Sequence, residues 1–145
     1  NSVFIKKDFF LKFKFSENIN LSGSEDWDLW LRIASKESII GNNTISSVII
    51  DHNLRTTRTQ DINKILLRIN TLYKRIMDKN VINLSFKLNT VKSEIYSFKS
   101  MIYSINLFNK LLSIKYLIIS ILLRPGRIFE KRTYGIIKNL LTKFI

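Results

Sequence analysis

Three carboxylates and two tryptophans crowd into eleven residues, Ser24-Glu25-Asp26-Trp27-Asp28-Leu29-Trp30-Leu31-Arg32-Ile33-Ala34. The apolar spacing behind the acids is helical, so Glu25, Asp26 and Asp28 fall where a helix begins. Acids at that end interact favourably with the helix dipole, and Ser22 with Glu25 fits the S-x-x-E capping box. The same placement suits a general base. A carboxylate at the edge of a cleft can take a proton from a hydroxyl nucleophile, and a helix N-terminus favours the negative charge that a base needs. Neighbouring helical residues project about 100° apart, so Glu25 can cap while Asp26 faces a cleft. Trp27 would wall that cleft and stack on a sugar face. Arg32, a turn deeper, is expected to pair internally with an acid.

His52 is the single histidine, and Arg55 and Arg58 follow it closely. A lone histidine is more often structural than a ligand.

The elements that must position these groups divide the chain at about residue 60. Before it the pattern reads as mixed α/β. Ser2–Ile5 is a short strand, Asp8–Phe15 is aromatic-rich connecting structure, and a helix runs from about Glu25 to Lys36. In that helix Trp27, Trp30, Leu31 and Ala34 form one apolar row and Leu29 and Ile33 a second, which implies burial. Gly41-Asn42-Asn43 signals a turn, and Ile45–Asp51 reads as a β-branched strand. From Asp61 the period is helical. Ile62, Ile65, Leu66, Ile69, Leu72, Tyr73, Ile76 and Met77 make a stripe with Lys64, Arg68, Lys74 and Arg75 on other faces. A looser helical pattern runs from about Thr90 to Leu123, and Arg124-Pro125-Gly126-Arg127 breaks it. A last amphipathic helix is expected over Ile128–Phe144.

Composition sets the outer bounds. The chain has 145 residues and no cysteine, which excludes disulfides and thiolate metal sites. The first residue is Asn, and the chain reads as the C-terminal piece of something longer. The net charge of +13 is uneven. Residues 1–60 carry eight Lys/Arg and seven Asp/Glu, whereas residues 61–145 carry sixteen and four, a net of +12. Such a half faces a polyanion, either nucleic acid or an anionic membrane surface. Tyr73, Phe86, Tyr96, Tyr103 and Tyr116 lie among the basic residues, but on apolar helical rows that favour packing over base stacking. Residues 105–123 are interrupted by Asn106, Asn109, Lys110 and Lys115, so a basic helix lying in the membrane interface fits better than a spanning one.

Three segments together resemble a known family: Asn1-Ser2-Val3-Phe4-Ile5-Lys6-Lys7-Asp8-Phe9-Phe10, Phe15-Ser16-Glu17 and Ser24–Ala34. They resemble the second half of a family 2 glycosyltransferase with the GT-A fold, over residues 1 to about 58. The resemblance implies an α/β fragment, the second half of a Rossmann-like domain, in residues 1–60. A basic, mostly α-helical C-terminal region then covers 61–145. It implies an inverting transfer from a nucleotide-sugar to a glycan or lipid-linked acceptor. Asp26 would be the catalytic base, and Glu25 and Trp27 would bind acceptor. His52 and Arg55 would lie near the donor diphosphate, with His52 a metal ligand for Mg²⁺ or Mn²⁺. The family's nucleotide-binding half and its D-x-D metal motif have no counterpart here, so the donor site would lie upstream and this piece alone would be inactive. The expected location is cytoplasmic, peripheral at the inner membrane face. The alternative is a basic helical module that binds nucleic acid or a membrane surface without catalysis.

Overall fold

The aromatic segment before residue 15 shows how local spacing sets structure in this chain. In Lys7–Phe13 (α1), Phe9 and Phe13 are four residues apart, and their rings stack with centroids 6.4 Å apart. A computed structural model of the protein describes residues 5–40, 61–84, 87–105 and 109–142. Five further helices follow among these residues: α2 (Glu25–Ala34), α3 (Ile62–Met77), α4 (Leu88–Ile105), α5 (Lys110–Leu123) and α6 (Lys131–Thr142). Short 3-10 turns cover Ile19–Leu21 and Pro125–Phe129.

The helices fall into two compact units, Asn1–Asn83 and Leu84–Ile145. In the first unit α1 packs on α2. Phe13, Leu29 and Ile33 form a buried cluster with Ile5, Phe9, Phe10 and Trp30 against it. The Ile19–Leu21 turn packs on α3 and buries Leu21 completely. Full burial of a leucine contributes roughly 1.5–3 kcal/mol. Helix α3 starts where Asp61 accepts a hydrogen bond from the Asn63 N–H at 2.9 Å, and it buries Ile69, Leu72 and Ile76.

The second unit is a helical hairpin with a third helix laid on it. Helices α4 and α5 meet through paired serines beside a stack of tyrosines, Tyr96, Tyr116 and Tyr103. Ser93 Oγ donates to the Ser120 carbonyl at 2.7 Å, and Ser120 Oγ returns a bond to the Ser93 carbonyl at 2.9 Å. Ser100 and Ser113 exchange the same pair of bonds, both at 2.8 Å. Pairing of 93 with 120 and 100 with 113 makes the two helices antiparallel. Helix α6 closes the unit through Leu117, Ile136 and Leu140, with Met101 and Ile121 packed beside them.

Arg127 joins the ends of this unit. It is fully buried in the Pro125–Phe129 turn, and its Nε donates to Ser93 Oγ at 2.7 Å. Its two Nη atoms bind Glu130 and Glu94. Arg132 adds a bond to Glu94 at 2.9 Å. Burial alone would raise the Glu94 carboxyl, but the hydrogen bond from Arg127 and the charges of Arg127 and Arg132 outweigh it. Its pKa lies below the ordinary value.

The expected α/β fragment is corrected. Of the described residues, 77% are helical and none lies in a strand, so they form no Rossmann-like half. The direct cause in the described region is α1. Helical spacing of Phe9, Phe10 and Phe13 made a packing face for α2 out of a segment read as connecting structure. The expected strand Ile45–Asp51 lies outside the described residues, as does most of Ser2–Ile5. The pattern read as one run from Thr90 to Leu123 is two helices. The last helix begins at Lys131, three residues after Ile128, because the 3-10 turn takes up the residues after Pro125.

Candidate functional site

The loop before α2 is held by its own acid. Ser24 takes the N-cap position without a side-chain bond, and the expected capping role of Ser22 is absent. Instead the Glu25 carboxylate accepts a hydrogen bond from the Gly23 N–H. Gly23 has φ +82°, in the left-handed region that only glycine enters freely. A Cβ there would lie 2.8 Å from Arg68 Nη1, the atom that donates to the Gly23 carbonyl. The positive φ favours glycine at this turn, whereas the Arg68 guanidinium, the end of a flexible side chain, can swing aside from a Cβ.

The turn opens a cleft of about 500 Å³ lined by Phe15, Gly23, Glu25 and Asp26. It is an open, shallow site: Phe15, Gly23 and Asp26 are all exposed. Asp26 is exposed, and its Oδ1 accepts from the Trp27 N–H at 2.8 Å. Among the described residues Oδ2 has no hydrogen-bond partner. Glu25 is half-buried beside it. Phe15 forms the aromatic wall, braced edge-on against Phe10 with ring centroids 5.6 Å apart.

Beneath the cleft a buried charge locks α2 in place. Asp28 is fully buried and accepts from Arg32 Nε at 2.8 Å, an i,i+4 pair. Arg75, from α3, donates Nε to the other oxygen, Oδ1, at 2.5 Å, and its Nη2 reaches Oδ2, the oxygen that Arg32 binds, at 3.3 Å. Arg32 also reaches the C-terminal end of α1, donating to the carbonyls of Phe13 and, at 2.7 Å, Lys14. One carboxylate and two guanidinium groups therefore tie α1, α2 and α3 together behind Glu25 and Asp26.

The structure brings Glu25 and Asp26 to one cleft, and Arg32 pairs internally as expected. Trp27 is 52% exposed and is not among the residues lining the cleft. The row read through Trp27 is therefore not the buried face of α2, which runs through Leu29 and Ile33 instead. Phe15 supplies the aromatic surface that Trp27 was expected to give. Arg75 also escaped the sequence reading. Its only signal was a cation on the same stripe-bearing helix, with nothing to tie it to Asp28, 47 positions away. His52, Arg55 and Arg58 lie outside the described residues. Among the described residues no group of three His, Asp or Glu converges to hold a metal ion.

The aromatic rings of the basic region stack on one another. Tyr116 lies between Tyr96 and Tyr103, at 5.8 and 5.7 Å, and Lys99 Nζ sits over Tyr96 and Tyr116. No protein-family model, curated protein or solved structure matches the chain.

Proposed function

We propose that this chain supplies the acceptor side of an inverting sugar transfer. The donor is a nucleotide-sugar and the acceptor a glycan or lipid-linked hydroxyl. The supporting observation is the single cleft that joins Glu25, Asp26 and the Phe15 ring. Its chemistry carries the reading, not likeness of fold. The acceptor sugar lies against Phe15, and Glu25 accepts a hydrogen bond from one of its hydroxyls. Asp26 takes the proton of the reacting hydroxyl at Oδ2. The acceptor oxygen attacks the anomeric carbon from the face opposite the diphosphate. The bond from that carbon to the diphosphate oxygen breaks, the nucleoside diphosphate leaves with the electron pair, and configuration inverts. Donor binding falls to residues outside those described.

The test is Asp26→Asn in the full-length polypeptide that contains this chain. It is incubated with UDP- and GDP-sugars, Mg²⁺ or Mn²⁺ and a lipid-linked glycan, and nucleoside diphosphate release is measured. Because the side chain is exposed, the variant keeps wild-type circular dichroism and thermal stability. Loss of a positioned base lowers turnover by roughly 10²–10⁴-fold. Turnover within a few-fold of wild type removes Asp26 from the role.

A further inference from the structure

The second unit is built with its polarity reversed along α5. At about 100° per residue, Ser113 and Ser120 lie nearly opposite Leu111, Ile118 and Leu122 on the helix. The serines are fully buried against α4, while Leu111 is 84% exposed, Ile118 52% and Leu122 76%. Ile114 and Lys115 complete the outward arc, and Phe129, 79% exposed, follows in the turn after the helix. In water this arrangement leaves large apolar groups solvated and spends burial on hydroxyls. In lipid it is the expected one, since small polar residues there mediate helix contact and apolar side chains face outward.

We propose that the outward arc of α5 lies in the interface of an anionic membrane. Charge selects this occupant over others. Residues 84–145 carry eleven Lys/Arg against two Asp/Glu, a net of +9. Both of those acids, Glu94 and Glu130, are bound by arginines. The remaining charge is carried largely by lysines, among them the exposed Lys115, Lys131 and Lys138. A second copy of the chain would bring two surfaces of net +9 together, whereas anionic headgroups complement each. Nucleic acid would match the charge but make no use of the leucines. No described helix is long and apolar enough to cross a membrane. At 1.5 Å per residue α5 is about 21 Å long, short of the roughly 30 Å hydrocarbon core, so it lies along the surface. This inference concerns the second unit and is independent of the role of Asp26.

Co-sedimentation of the full chain with vesicles tests it. Phosphatidylcholine vesicles containing phosphatidylglycerol capture the protein, and phosphatidylcholine alone captures much less. The triple variant Leu111→Gln, Ile118→Gln, Leu122→Gln weakens partitioning by about 100-fold, as expected for three apolar side chains withdrawn from the interface. Lys115→Gln and Lys138→Gln each weaken it about fivefold, and added salt does the same. All these positions are exposed, so circular dichroism stays that of wild type. The chain has no cysteine, so Ile118→Cys can carry a single environment-sensitive dye. Its emission shifts to the blue when phosphatidylglycerol vesicles are added. Four results overturn the proposal: undiminished capture of the triple variant, a dye that stays in water, a dimer that the triple variant dissociates without vesicle binding, or DNA binding without vesicle binding.

Discussion

Asp28 is chemically identical to Asp26 and two residues away, yet the fold gives it a different task. The two project about 200° apart on α2, so one faces the cleft and the other the interior. Buried without partners, Asp28 would be costly; here it accepts bonds from Arg32 and Arg75. Removing the charge leaves two partly buried guanidinium groups without their counter-ion. Asp28→Asn is therefore expected to destabilise the first unit by about 3 kcal/mol, the scale for breaking a buried pair. Urea titration followed by tryptophan fluorescence measures this, because Trp27 and Trp30 flank the site. Unchanged stability would mean that the pair does not hold α2. Sequence spacing made the Asp28–Arg32 half of this network readable, since i,i+4 pairs are local. Arg75 was not readable, because nothing in a linear pattern joins residues 47 positions apart.

Among the elements, legibility followed the chemistry at each helix face. The bounds of α3 were readable nearly to the residue, because Asp61 caps a clean apolar stripe. The serine part of the α4–α5 contact was hidden, because a search for apolar periodicity counts serines as surface. Ser93, Ser97, Ser100 and Ser104 recur at spacings of four, three and four, and that small-residue stripe was the available signal. Within it the members differ. Ser100 exchanges bonds with Ser113, whereas Ser97 Oγ is buried with no hydrogen-bond partner among the described residues. An unsatisfied buried hydroxyl costs about 1–3 kcal/mol, and removing it recovers part of that. Ser97→Ala should thus stabilise the protein by about 0.5–1 kcal/mol, while Ser100→Ala should destabilise it by about 1 kcal/mol. Paired denaturant midpoints check the opposite signs. Equal effects would show that the hydroxyl pairing does not distinguish the two sites.

For the whole molecule, acid is the condition that acts on charge and structure together. The net charge is already +13 at neutral pH, and protonating the eleven Asp and Glu residues raises the self-repulsion of the folded state. Glu94 adds a specific contribution. Its folded pKa is depressed, so the stability it provides is present above the unfolded value and lost as pH falls through the folded one. Burial of Lys99 acts on the other side of neutrality. Desolvation lowers its folded pKa, so its contribution to stability grows as pH rises towards the ordinary lysine range. The two shifts have the same sign in their effect on the pH profile, since in both the unfolded state binds more protons. Thermal stability of the second unit is therefore expected to fall steeply below about pH 4, the ordinary range of a glutamate. Glu94→Gln should flatten that acid limb while lowering stability at neutral pH, because Arg127 and Arg132 lose a charged partner. Melting curves followed by circular dichroism at a series of pH values, for wild type and Glu94→Gln, measure both effects. An acid limb of unchanged slope in the variant would assign the loss to general repulsion rather than to the Arg127 network.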